Sequence, residues 1–296
     1  MSGRLAVIGA PTSAGAYAPG QERAPRALRA AGLLDGLRDA GWTVEDRGDV
    51  AGARWAPDPE DPRAANAGAV GRVAGAVAAE VRAADADRVL VLGGDCTVGV
   101  GAVAGLSGRG RVGLVYLDLH ADLNIPTATA DGALDWMGVA HLLALEGTRP
   151  ALRDVGPRTP LLRGADVALV GFDADHATAF ELAMISEHGL AAGTIAELSA
   201  GPEDAARRAL AALEECDVLA VHLDVDVIDF LALPLSENVE RDGGATPEAA
   251  LAALAVAAHD PRCATVTVTE VNPDHGAADG STLRAFAAGL AGALAP

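Results

Sequence analysis

Leu114-Val115-Tyr116-Leu117-Asp118-Leu119-His120-Ala121-Asp122 organises the reading of the whole chain. Its first four residues form an uninterrupted apolar run, the kind expected of a strand buried on both faces of a parallel sheet. Its last five place polar side chains at alternate positions, so in an extended segment two carboxylates and an imidazole point the same way. A second run, Val218 to Val227, repeats the design and delivers His222, Asp224 and Asp226, with Asp229 close behind.

Outward from these two runs, further short apolar stretches fall at 5–8, 89–92, 167–170 and 265–271. Between them lie Ala/Leu-rich stretches with helical spacing, at about 24–40, 64–84, 133–146, 177–188, 202–215, 247–258 and 281–294. Strands alternating with helices predict a three-layer α/β/α fold with a mostly parallel, doubly wound sheet. No linker or repeat of fixed period divides the chain, which reads as one domain over residues 1–296.

Composition narrows the function classes. The 41 acidic residues exceed the 22 basic ones, giving a formal charge of -19, which repels nucleic acid and anionic membrane surfaces and attracts a cationic substrate. Cys96, Cys216 and Cys263 are odd in number and far apart, which argues for a reducing compartment over a disulfide framework. No apolar run reaches membrane-spanning length, and the start of the chain lacks signal-peptide character, so a cytoplasmic location is expected.

In parallel sheets of this kind ligands gather at the carboxyl ends of strands, and here those ends are acidic. Carboxylates crowded together without a cation repel one another and are costly to desolvate. Asp118, His120, Asp122, Asp224 and Asp226 therefore read as ligands of hard divalent ions such as Mn²⁺, and five or six donors suit two ions better than one. A third apolar run leads into Gly93-Gly94-Asp95-Cys96-Thr97, where Cys96 is either a thiolate ligand or a small buried apolar residue. A fourth ends at Glu270, in Thr267-Val268-Thr269-Glu270-Val271-Asn272-Pro273. His222 is a candidate to orient a ligand by hydrogen bonding.

Ile8-Gly9-Ala10-Pro11 with Gly15, Pro25, Leu28 and Arg29, then Gly93-Gly94-Asp95, Asp118-x-His120-x-Asp122, Asp224-x-Asp226-x-x-Asp229 and Glu270-Val271-Asn272-Pro273 stand in one order along nearly the full chain. They resemble the motifs of the arginase, agmatinase and formiminoglutamase family, the ureohydrolases. The resemblance implies two Mn²⁺ ions bridged by Asp118 and Asp224, with Asp122 completing one and His120 plus Asp226 the other. It implies that Glu270 grips a guanidinium and that a metal-bridging hydroxide attacks the guanidine carbon to release urea and an amine. It also implies a homo-oligomer, trimeric or hexameric, acting on a small cationic guanidine compound.

Three departures from the family pattern stand out. Cys96 occupies the place of a metal-binding His, as in a variant of the arginase-like branch, and a softer ligand opens the site to Zn²⁺. The loop with Asn124, Thr129 and Asp131 resembles the segment that binds the substrate α-carboxylate, but Asp131 replaces the usual Ser and would repel that group. Asp135 replaces the proton-shuttling His, which leaves either Asp135 with a raised pKa or His141 to serve. Asp175 lies near where the family contacts the substrate amino group. Expected substrates are arginine or a modified arginine such as N-hydroxyarginine, with agmatine-type or formimino specificity, or a non-catalytic metal-binding descendant, as alternatives.

Overall fold

The computed structural model describes residues 3–129, 131–239 and 243–296. Among these residues eight strands run as β1 Arg4–Gly9, β2 Thr43–Asp49, β3 Arg88–Leu92, β4 Val112–Leu117, β5 Val167–Phe172, β6 Ala191–Thr194, β7 Val218–Asp224 and β8 Cys263–Thr269. They form one sheet in the order β2-β1-β3-β8-β7-β4-β5-β6, and every pairing is parallel. The α/β reading holds, with the sheet wholly rather than mostly parallel.

Alternation along each strand splits the core into two layers. Ala6, Ile8, Val89, Val91, Leu114 and Tyr116 pack on one face with the helices Ala67–Ala83 and Val98–Leu106. Leu5, Val7, Leu90, Leu92, Val115 and Leu117 pack on the other with Leu33–Asp39, Pro202–Ala212, Pro247–His259 and Ser281–Ala293. Each fully buried Val or Leu contributes roughly 1.5–3 kcal/mol, and small Ala residues let the helices sit close to the sheet.

The two edge strands escape the apolar-run pattern for a physical reason. β2 reads TVEDRGD and is largely exposed, tied back by Arg29, whose guanidinium meets Asp46 at 2.9 Å and Asp49 at 2.6 Å. β6 is only AAGT. The Val98–Leu106 helix is also absent from the sequence reading, because VGVGAVAGL is poor in helix formers; burial of all nine residues stabilises it instead. The stretch 24–40 is two helices, broken where Gly32 takes φ 90°, and 133–146 shortens to a turn of 3-10 helix and Gly138–Leu142.

The loop after β3 is held against the loop after β1. A Cβ at Gly94 would lie 1.6 Å from the Thr12 carbonyl oxygen, so only glycine allows this approach. Buried Asp95 accepts from Gly15 N at 2.9 Å and Thr97 N at 3.2 Å, and also from the Thr97 hydroxyl. That makes Asp95 a strut beneath the strand ends.

Candidate active site

β3, β8, β7 and β4 are neighbours in the sheet, and their carboxyl ends carry Cys96, Glu270, Asp224 and Asp118. Side chains from four distant parts of the chain thus converge on one crest. The convergence is not the extended alternation that the sequence suggests. β4 stops at Leu117, and Asp118 Oδ1 accepts from His120 N at 2.6 Å, closing a tight turn. β7 stops at Asp224, whose Oδ1 accepts from Asp226 N at 2.7 Å over the 3-10 turn Val225–Val227. Asp122 and Glu270 take φ of 50° and 61°, a left-handed conformation costing roughly 1–2 kcal/mol for a residue with a Cβ.

The contacts group the donors. His120 Nδ1 lies 3.4 Å from Asp118 Oδ1 and 3.0 Å from Asp226 Oδ2, and Asn238 Nδ2 lies 3.4 Å from the same Asp226 oxygen. Cys96 Sγ donates to Asp224 Oδ2 at 3.0 Å. Glu270 accepts from Cys96 N at 2.8 Å through Oε1 and from Gln21 Nε2 at 3.0 Å through Oε2. Asp122 accepts from the Tyr116 hydroxyl.

Burial and mutual repulsion dominate the electrostatics. Burial, then the charge of Asp226, pushes Asp118 up to about 7. Burial with neighbouring carboxylates also raises Asp122, Asp224 and Glu270 well above the usual carboxylate range. Burial raises Asp226 too, but the His120 imidazolium outweighs it and leaves that carboxyl below its ordinary value. The Cys96 thiol is raised by burial and by Asp224 and Glu270.

These residues fit divalent cations. Asp118 Oδ2 and Asp226 Oδ1 are buried without a hydrogen-bond partner, and a cation satisfies such oxygens while relieving their repulsion. Ligand atoms of Asp118, His120 and Asp226 lie within 4.8 Å of one another, as do those of Cys96, Asp224 and Glu270 and those of Cys96, Asp118 and His222. Asp122 joins none of these groups, and its Oδ2 accepts from the Tyr116 hydroxyl.

Above the donors opens a cavity of about 300 Å³, lined by Cys96, His120, Asp122, Asp224, Asp226 and Glu270 below, and by Tyr17, Asp131, Asp135, Trp136, His176 and Asn238 around it. Among the described residues, no Lys or Arg lines it. A small cation is the ligand such a wall attracts.

The pattern of the Arginase family matches residues 3–294. The chain belongs to that family. Arginase-1 of Rattus norvegicus is 33% identical over 174 residues, 56% of this chain and 53% of its own, so the chain spans about half the length of the mammalian relatives it matches. Arginase of Bacillus caldovelox is 29% identical over 282 residues, covering 91% of each chain. The solved native structure of the Bacillus caldovelox arginase superposes with a TM-score of 0.85 and 25% identity, covering 99% of both chains.

Among the arginase-family positions, Cys96, His120, Asp122, Asp224, Asp226, Glu270, Asp131 and Asp135 share the cavity, with Asp118 buried beside His120 and Asp226. Asn124 and Thr129 do not line it. Asn124 is buried, its Oδ1 accepting from the Thr178 hydroxyl at 2.9 Å. Asp175 is exposed outside the cavity, and His176 beside it stands in the wall. His141 is fully buried away from the cavity, with Nδ1 2.6 Å from Met137 O and Nε2 accepting from Arg149 N at 3.0 Å. Burial pushes its pKa down to about 4. Tyr17, Trp136 and Asn238 were not anticipated, since a lone residue in a loop carries no periodic signal. Asp135 has burial, then Asp95 and Asp122, holding its carboxyl well above the ordinary range.

Proposed function

We propose that this chain, as one ureohydrolase unit over residues 1–296, hydrolyses a guanidine or amidine C–N bond. The substrate is arginine or a modified arginine such as N-hydroxyarginine, and the products are urea or a substituted urea plus an amine. The observation that carries the reading is the crest of strand-end carboxylates beneath a cavity whose described wall residues include Asp131 and Asp135.

Asp118, His120, Asp122, Asp224, Asp226 and Cys96 hold two divalent ions, Mn²⁺ or, with the thiolate, Zn²⁺. Asp122 accepts from the Tyr116 hydroxyl through Oδ2, which leaves Oδ1 for an ion. Bound cations supply Lewis acidity and a nucleophile from water at neutral pH. Glu270, fixed by Cys96 N and Gln21, presents its remaining lone pairs to the planar cation in charge-assisted hydrogen bonds. Water adds to the guanidine carbon, the C–N bond to the departing amine breaks, and Asp135 delivers the proton that the amine takes up. A raised pKa keeps that carboxyl protonated until it is needed.

Asp131 stands in the wall at the far end of the substrate, with Asn124, Thr129 and Asp175 outside that wall. Asp131 in the cavity wall favours a second reading, an agmatine-type substrate that lacks the carboxylate. The protein acts in the cytoplasm as a homo-oligomer.

The test is a urea-release screen over guanidine compounds with Mn²⁺-loaded protein, metal content being measured on the same sample. Turnover lost in Asp224→Ala supports the reading. Two bound ions with no turnover of any guanidine or formimino compound points to a non-catalytic descendant.

A further inference from the structure

His222 lies directly beneath Cys96 and takes no part in the chemistry described so far. Its ring is fully buried at the end of β7 and stacks on Tyr116, with centroids 4.3 Å apart and planes inclined by 12°. Nδ1 lies 2.7 Å from the Thr267 hydroxyl, while Nε2 faces Cys96 Sγ at 3.3 Å and the Thr269 hydroxyl at 3.0 Å.

Hydrogen-bond bookkeeping assigns the ring proton. The Thr267 hydroxyl has its one hydrogen bond to this ring, so its hydrogen points at Nδ1 and uses that nitrogen's lone pair. Nε2 then carries N–H. The Thr269 hydroxyl already donates to Leu223 O at 3.2 Å, which leaves Thr269 and Cys96 sulfur as the acceptors for Nε2–H. With both nitrogens engaged, His222 shares its Nε2–H between Thr269 Oγ1 and the sulfur, although its ligand atom also lies within 4.8 Å of those of Cys96 and Asp118.

The same neighbours set a size limit. Cys96 Sγ has Asp224 Oδ2 at 3.0 Å, Thr269 Oγ1 at 3.2 Å and His222 Nε2 at 3.3 Å. An imidazole at position 96 adds ring atoms beyond the place of sulfur, among three walls already in contact. His222 is bounded by Gly99, where a Cβ would lie 2.8 Å from its Nδ1, and by Tyr116 on one ring face, with a gap of only about 10 Å³ beside them.

We infer that His222 is the positioning residue for Cys96: it donates Nε2–H to the sulfur and fills the space a bulkier ligand would need, so that Cys at 96 and His at 222 work only as a pair. The inference rests on the reading of Cys96 as a metal ligand. Residue 222 thereby decides what residue 96 contributes to the first ion, through the shape and the hydrogen bond it imposes.

The experiment uses the full chain loaded with Co²⁺, reading cobalt stoichiometry and the near-ultraviolet thiolate-to-cobalt absorption band. His222→Ala is expected to keep two Co²⁺ and move the band to longer wavelength, because sulfur loses a hydrogen bond; His222→Gln, with an N–H near the Nε2 position, returns it toward the original wavelength. Cys96→His is expected to hold one Co²⁺ per chain, and Cys96→His with His222→Ala to regain the second. An unmoved band in folded His222→Ala, or two Co²⁺ bound by Cys96→His as tightly as by the parent, overturns the pairing. Should His222→Ala not fold, Thr267→Val, which frees the ring to turn its proton away from sulfur, is expected to shift the band the same way by less; an unmoved band there overturns it too. Two Co²⁺ with no thiolate band in the parent chain shows instead that Cys96 is no ligand, and removes the reading beneath the inference.

Discussion

Cys96 and Asp224 stand 128 residues apart in the chain, yet Sγ lies 3.0 Å from Asp224 Oδ2. The contact exists because β8, the last strand in sequence, inserts between β3 and β7 and draws their carboxyl ends together. It also places a thiol among four buried carboxyl groups, where every charge raises the cost of the next. The predictions below follow from that crowding.

Asp224→Asn removes one buried carboxylate and one donor. Thermal melts with chelator are expected to show a midpoint above that of the parent, since repulsion is relieved, whereas melts with Mn²⁺ show a midpoint below it, since binding stabilisation is lost. The same order of midpoints in both conditions would contradict a metal role for this residue.

Stability of the chelated protein is expected to fall as pH rises. Asp118 is held at about 7 in the fold against roughly 3.9 in an unfolded chain. The folded state therefore binds the additional proton between those values, so the contribution is full below about 4 and is lost as pH rises through about 7. Urea melts from about pH 5 to pH 8, with and without Mn²⁺, check this, and a midpoint insensitive to pH under chelation would refute it.

Asp135→Asn keeps the size of the side chain but cannot give up a proton. We expect kcat for arginine to drop by about 10²–10³ with KM little changed. With N-hydroxyarginine, which leaves hydroxyurea and releases the same amine, the loss is expected to be of similar size. A kcat unchanged for both substrates would show that Asp135 is not the proton donor.

Asp131→Ser takes a negative charge from the cavity wall. The ratio of kcat/KM for arginine over agmatine is expected to rise about tenfold, equivalent to ~1.4 kcal/mol of discrimination. An unchanged ratio would mean that Asp131 faces away from the substrate's far end.

Gly94→Ala forces a Cβ against the Thr12 carbonyl oxygen, 1.6 Å away in the present backbone. The loops after β1 and β3 must part, at a cost of about 3 kcal/mol. Chemical denaturation measures it, and a loss under about 1 kcal/mol would show that the loop gives way easily.

Much of the fold and the site was legible in the sequence, and the exceptions have causes. Central strands are buried on both faces, so Leu114–Leu117 and Val218–Leu223 announce themselves as apolar runs. β2 and β6 each have one side in solvent and lose that signal. Asp118, His120, Asp122, Asp224 and Asp226 were legible as neighbours because each ends or follows a central strand, and parallel strands bring their carboxyl ends to one side of the sheet. His141 looked equally available on its helix, but only packing decides which way a helical side chain faces, and this one turns into the core. Asn238 and Tyr17 reach the cavity from loops whose course depends on the assembled sheet.

The sequence alone therefore determined the alternation of strands and helices, the acidic strand ends and the family, because burial and charge repulsion act on local patterns. Tertiary structure decided the strand order that sets β8 between β3 and β7, the tight turns that aim Asp118 and Asp224, and the His222 contact beneath Cys96. Those depend on distances between segments far apart in the chain, which no local pattern encodes.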